Sequence, residues 1–246
     1  MALLASCQYD PAAAVTKATI TTPAVQVAMD TTNLRNVFTV PPNGRVLMRQ
    51  RICFHGSATF PTVLLSALEG STIRGRAAPL GSLTATALST TRVPLENLIV
   101  VPGLTAGSSL TWDMAWGFET ISGAGGLKYG GPNNTTTDDA FGAAIFEIYD
   151  APNCLGAVAY DPGSAVAKSC ATRIAMTAFD TTNARITFVA QTTRVLWRVR
   201  CNLSGATTFP QVLLGVMDGA TVMGRACPIT GIPATALATT NVPMEV

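Results

Sequence analysis

Arg45-Val46-Leu47-Met48-Arg49-Gln50-Arg51-Ile52-Cys53-Phe54 decides the fold of this chain, because it alternates with a period of two. Its even positions, Val46, Met48, Gln50, Ile52 and Phe54, read as the inward face of a half-buried strand. Its odd positions carry Arg45, Arg49 and Arg51. The pattern returns further along, with Val195, Trp197, Val199, Cys201 and Leu203 on one face and Arg194, Arg198 and Arg200 on the other. The two stretches lie 194 − 45 = 149 residues apart.

That offset is general. Phe60-Pro61 recurs as Phe209-Pro210, Gly75-Arg76-Ala77 as Gly224-Arg225-Ala226, and Val93-Pro94 as Val242-Pro243. Asp30-Thr31-Thr32-Asn33 recurs as Asp180-Thr181-Thr182-Asn183, 150 residues on, and Tyr9-Asp10-Pro11 as Tyr160-Asp161-Pro162, 151 residues on. Only single-residue gaps are needed, so the chain is a tandem duplication. The match stops early, because Val246 corresponds to position 246 − 149 = 97 and nothing pairs with Leu98 to Asp150. The expectation is that the chain continues beyond Val246, or that strands of a neighbouring chain complete the second copy by donor-strand assembly.

Turn signals fall at short intervals around the deciding stretch. Pro41-Pro42-Asn43-Gly44 precedes it, and Glu69-Gly70 and Asp218-Gly219 each divide two short apolar runs as a hairpin does. Further runs cover Ala18–Met29, Leu34–Val40, Val63–Leu68, Thr72–Ala77, Arg92–Val101, Leu110–Thr120 and Phe141–Tyr149, with Gly103-Leu104-Thr105-Ala106-Gly107 as a tight connection. No segment sustains a helical period. With the deciding stretch this gives about eight strands, the number in a jelly roll. The fold class predicted is all-β: tandem antiparallel β-sandwiches of jelly-roll type, the second copy incomplete. The organisation predicted is an N-terminal arm (1–17), a first domain (18–151), a linker that matches the arm (152–168) and a partial second domain (169–246). Leu80–Thr91 and Ser122–Asp139 read as exposed loops.

Composition narrows the function classes. Hydrophobic residues make up 48% of the chain and charged ones 12%, and the net charge is +2. Lysine is confined to Lys17, Lys128 and Lys168. Such a chain has no electrostatic case for nucleic acid. Met1 to Cys7 has no basic region of the kind that starts a signal peptide, and no apolar run reaches the length of a membrane span. Synthesis in the cytoplasm without membrane contact is therefore expected. Cys7, Cys53, Cys154, Cys170, Cys201 and Cys227 occupy unrelated places in the two copies and have no metal-ligand spacing, so buried thiols are expected.

Each candidate for chemistry has a plainer reading. His55 is the single histidine, Ser204 stands in its place in the second copy, and no triad assembles around it. Asp138-Asp139 after Asn133-Asn134 offers oxygen ligands but matches no calcium loop. Gly123-Ala124-Gly125-Gly126 lacks the Lys-Ser/Thr of a phosphate loop. Trp112, Met114 and Trp116 alternate as core residues do, and with Tyr129 they are read as core rather than as a sugar platform. No catalytic residue, metal ligand or cofactor is predicted. The duplicated arginines stand apart. Arg49, Arg51, Arg198 and Arg200 share strand faces, and each copy keeps an acid, Glu69 or Asp218, two strands along. They read either as cross-strand ion pairs or as a subunit interface, where arginine is enriched.

Phe38-Thr39-Val40-Pro41-Pro42-Asn43-Gly44-Arg45-Val46-Leu47, the hairpin at Glu69-Gly70, Gly103 to Gly107 and the closing Phe146-Glu147-Ile148-Tyr149 resemble the tumour-necrosis-factor-like and complement-type jelly rolls of bacteriophage structural proteins. The resemblance spans most of the first copy and implies a trimer. It further implies a non-enzymatic virion protein of a tailed phage, made in the host cytoplasm, that decorates the capsid or forms a head fibre. The partners implied are the major capsid protein or tail proteins, and no catalytic residue carries over. The alternative is a tail-fibre or minor tail protein binding a host receptor or glycan through the two loops. A carbohydrate-active enzyme needs paired carboxylates facing a groove, and no acidic pair of the first copy is repeated in the second.

Overall fold

The computed structural model describes residues 1–11, 13, 15–16, 25–56, 63–77, 93–118, 127–129, 143–152, 154–158, 160, 176–190, 194–203, 212–229 and 242–245. The chain divides into two compact units, Met1–Ala157 and Val158–Val246. Among the described residues every regular element is a β-strand. The first unit carries β1 (Leu3–Tyr9), β2 (Val15–Thr16), β3 (Gln26–Ala28), β4 (Arg35–Thr39), β5 (Val46–Gly56), β6 (Val63–Glu69), β7 (Thr72–Ala77), β8 (Val93–Val101), β9 (Ser109–Phe118), β10 (Leu127–Tyr129) and β11 (Ala144–Asp150). The second carries β12 (Arg200–Leu203), β13 (Val212–Asp218), β14 (Thr221–Ile229) and β15 (Val242–Glu245).

The first unit is an antiparallel sandwich with β5 central in one sheet. Residues 46–54 of β5 pair with β8 on one edge; residues 46–51 pair with β11, and 54–56 with β10, on the other. Beyond these, β1 pairs with β11 and β2 with β10. In the second sheet β9 has β6 on one edge and β3 and β4 end to end on the other, with β7 outside β6. The six segments of one sheet and the five of the other thus fill four strand positions each. Pairing is nested about the β6–β7 hairpin: β5 with β8, the β3–β4 line with β9, β1 with β11.

Alternation along β5 places the core. Val46, Met48, Gln50, Ile52 and Phe54 are each 1% exposed or less. The four apolar ones join one cluster with Trp112, Met114 and Trp116 of β9, Val63 and Leu65 of β6, and Phe146 and Ile148 of β11. Phe38 meets Trp112 edge to face, centroids 4.9 Å apart at 84°. Trp112, Trp116 and Tyr129 are core residues, as expected.

The repeated sequence motifs are turns with identifiable chemistry. Asp30 Oδ1 accepts from the backbone N–H groups of Thr32 and Asn33, and Asn33 Nδ2 donates to Asp30 Oδ2. Asp180, Thr182 and Asn183 repeat every one of these bonds. Met29 donates to the carbonyl of Met114, and Met114 donates to that of Leu34, so the turn loops out of the strand line opposite one residue of β9. The β6–β7 hairpin closes at Glu69 and Thr72, with Gly70 at φ 59°. Its counterpart closes at Asp218 and Thr221, with Gly219 at φ 57°.

Three expectations are corrected. The segment 1–17 is not a detached arm, because β1 pairs with β11 and Leu4, Ala5, Cys7, Tyr9 and Val15 pack against the core. Ala18–Met29 and Leu34–Val40 do not occupy two strand positions: their described parts, β3 and β4, share one, and β1 with β2 fills the other. In the second copy the face Val195, Trp197, Val199, Cys201, Leu203 is not sealed. Val195 is 42% exposed, and Leu214 alone is a buried apolar residue among the described residues of that unit. In the first unit β9 covers this face and β11 pairs along the edge of β5, and residues 158–246 contain no counterpart of either strand. The linker 152–168 and the loops Leu80–Thr91 and Ser122–Asp139 lie wholly or mostly outside the described residues.

Register is nevertheless preserved between the copies. Arg200 pairs with Glu245, Cys201 with Met244, Asn202 with Pro243 and Leu203 with Val242. Subtracting 149 from every number gives four pairs of β5 with β8: Arg51–Glu96, Ile52–Leu95, Cys53–Pro94 and Phe54–Val93.

Glycines 70 and 75 separate two costs. Both have positive φ, at 59° and 57°, but a Cβ on Gly70 meets nothing within 4 Å. One on Gly75 comes within 2.7 Å of Met48 Cε, 2.9 Å of Val101 Cγ2 and 3.0 Å of Ile99 Cγ2. Gly70→Ala is expected to lose about 1 kcal/mol from backbone strain. Gly75→Ala should lose about 1–3 kcal/mol more through overpacking. Urea unfolding of both variants checks this, and equal losses contradict the packing.

Candidate functional site

Arginines 49 and 51 lie on the odd, outward positions of β5. Because β5 is central, Arg49 reaches acids on both neighbouring strands. Its Nε donates to Glu96 Oε1 of β8 at 3.1 Å, and its Nη1 to Glu147 Oε2 of β11 at 3.2 Å. Tyr149 is two residues beyond Glu147, and its phenol pKa is raised, first by burial and then by Glu147, with Arg49 opposing. The hydrogen bond to Glu96, and then its charge, hold the Arg49 guanidinium above its ordinary pKa. Arg51 is exposed. Exposed ion pairs of this kind contribute about 0.2–1 kcal/mol each, so the group orders the sheet surface more than it stabilises the fold.

The acid expected to face these arginines is a different one. Glu69 lies in the other sheet, where Oε2 accepts from Arg74 Nε and from the Trp112 indole N–H, both at 3.1 Å. It thereby fixes a core tryptophan at the hairpin. In the second copy register sets Glu245, not Asp218, opposite Arg200. Arg198 is exposed and Arg200 half-buried. A further exposed ion pair, Arg35 with Asp113, uses two nearly parallel bonds of 2.7 and 2.9 Å.

The remaining candidates separate as follows. The backbone of His55 pairs with Lys128 across β5 and β10. Gly123 to Gly126, Asn133-Asn134 and Asp138-Asp139 lie outside the described residues. Among the described residues no three His, Cys, Asp or Glu side chains come together as a metal site needs. Cys7, Cys154 and Cys201 are half-buried thiols rather than fully buried ones.

The structure also shows a group that sequence reading missed. Among the described residues of the first unit five polar ones are buried: Gln26, Asn36, Gln50, Ser66 and Asn97. Gln50 Nε2 donates to the carbonyl of Ser66, while Asn97 Nδ2 donates to Gln50 Oε1 at 3.0 Å and to the carbonyl of Gly75 at 3.1 Å. Ser66 Oγ donates to Gln26 Oε1 at 2.7 Å. Asn36 Nδ2 donates to the carbonyl of Phe146 at 2.8 Å, joining the two sheets. Gln50 gave the signal: it interrupts an otherwise apolar stripe on the face that became core.

Three groups retain protons well into alkaline pH. Burial, assisted by Asp113 and Asp30, pushes the Cys7 thiol up from 9.0 to about 11. Burial pushes the Cys201 thiol from 9.0 to about 11. Burial, then Asp30 and Tyr9, push the Tyr129 phenol from 10.0 to about 12. The unfolded chain releases these protons first, so their contribution is complete below pH 9 and is lost as pH rises from about 9 to 12. Urea midpoints are expected to fall across that window. A midpoint that stays level or rises there contradicts the placement of these groups.

No family model matches the sequence, and no curated protein matches it.

Proposed function

We propose that the chain is a non-enzymatic structural protein of a tailed-bacteriophage virion. In this reading it is a capsid-decoration or head-fibre protein built from jelly rolls that assemble as trimers. The observation that carries the reading is the nested strand pairing. Wrapping one long antiparallel ribbon so that its halves alternate between two sheets gives the jelly-roll arrangement. That order agrees with the resemblance carried by Phe38 to Leu47, Gly103 to Gly107 and Phe146 to Tyr149.

The duplication supports a role of shape rather than of chemistry. It repeats the Asp30 turn, the hairpin and the β5–β8 register. His55 is not repeated. The outer face of β5, with Arg49 and Arg51, is the proposed subunit contact, and Arg198 and Arg200 are its counterpart in the second repeat. Arg51 presents an exposed guanidinium there, and Arg49 arrives already oriented by Glu96 and Glu147.

Light scattering on the purified chain is expected to give a trimer, and Arg51→Glu with Arg198→Glu to shift it towards monomer. An antiserum raised against the chain should label the heads of virions made by the genome that encodes it. A monomer at every concentration contradicts the trimer, and virions without label contradict the virion role. Label confined to tail tips replaces decoration with receptor binding.

A further inference from the structure

The five buried polar residues of the first repeat are replaced together in the second. Alignment through the shared turns sets Met176 at the place of Gln26, Ile186 at Asn36, Val199 at Gln50, Gly215 at Ser66 and Val246 at Asn97. Every replacement is apolar. A contact survives the change: a Cβ on Gly215 lies 2.9 Å from Met176 Cε, so Met176 occupies the side of β13 that Gln26 occupies on β6.

Backbone differences accompany the side chains. In the first repeat Leu65 pairs with Ala77 and Ala67 with Arg74, so Ser66 faces a bulge at Gly75 and Arg76. The carbonyls of Leu65, Ser66 and Gly75 around that bulge accept from Gln50 and Asn97. In the second repeat Leu214 pairs with Ala226, Gly215 with Arg225 and Val216 with Gly224 without a shift, and the irregularities fall on either side, between Val212 and Leu214 and between Val216 and Met217. Polar side chains thus surround the bulge opposite Ser66, and apolar ones stand where the ladder opposite Gly215 is regular.

We infer that this polar group is an identity lock, which makes the strands of the first repeat choose one another and reject those of the second. Tandem copies with matching turns and register are prone to exchange strands between repeats. Here β8 placed beside β12 sets Asn97 against Val199 instead of Gln50, and β15 placed beside β5 leaves Gln50 without Asn97. Each such exchange breaks the hydrogen bond from Asn97 Nδ2 to Gln50 Oε1 and offers an apolar side chain in its place. One unpaired buried group costs roughly a factor of 5 to 150 in the pairing equilibrium, whereas the apolar surfaces of the repeats do not discriminate. A purely apolar code in both copies lacks this penalty.

The test refolds the full chain, with Cys53 and Cys201 changed to alanine, under oxidising conditions. Glu96→Cys is combined with either Arg51→Cys, which reports native pairing, or Arg200→Cys, which reports exchange. The fraction of disulfide 96–200, mapped by mass spectrometry, is expected to be minor beside that of 51–96. Adding Gln26→Met, Gln50→Val, Ser66→Gly and Asn97→Val together should raise it about tenfold or more. A second background, Val199→Gln alone, leaves the first repeat intact and gives β12 the amide that Asn97 recognises. It too is expected to raise 96–200, which keeps the test decisive where the fourfold variant does not fold. An unchanged 96–200 fraction in Val199→Gln overturns the lock, as does an unchanged fraction in a folded fourfold variant.

Discussion

Hydrogen bonding of the β5 backbone is the constraint from which the sandwich follows. A peptide group in the middle of a sheet, with strands on both edges and a core against one face, needs its partner inside the protein. β5 finds partners along β8 on one edge and along β11 and β10 on the other. Once both edges are used, the alternation of its side chains has a single consequence. Val46, Met48, Ile52 and Phe54 face inward and require a second sheet, which β9 provides with Trp112, Met114 and Trp116. Arg49 and Arg51 face outward, where Glu96 and Glu147 order the first of them.

The second repeat shows the same constraint from the other side. Its sequence retains the period of two, the Asx turn and the hairpin, and it forms the equivalent of the β5–β8 register between β12 and β15. Yet Val195 and Phe188 stay exposed, because no segment of residues 158–246 corresponds to β9 or β11. Local pattern therefore reproduces turns and register, while burial depends on strands distant in the chain.

What was legible in the sequence was local. The inward face from Val46 to Phe54, the hairpin at Glu69-Gly70 and the core positions of Trp112 and Trp116 each rest on period or on turn chemistry within a few residues. What was not legible depends on pairing across long separations. Leu3–Tyr9 looks like an arm until β11, well over a hundred residues away, arrives beside it. Glu69 looked like the acid for Arg49, but Glu96 and Glu147 are brought there only by register. Gln50 stands in an otherwise apolar stripe, and its role depends on Asn97 and the carbonyl of Ser66 around it.

The central claim is that one strand register was duplicated and kept. Cross-strand nuclear Overhauser contacts in the isotope-labelled chain test it most directly. Hα contacts or the corresponding amide contacts are expected for Arg51 with Glu96 and for Arg200 with Glu245, in the same antiparallel register. A second repeat in which Arg200 meets a residue other than Glu245, or in which β12 and β15 are not paired, contradicts it.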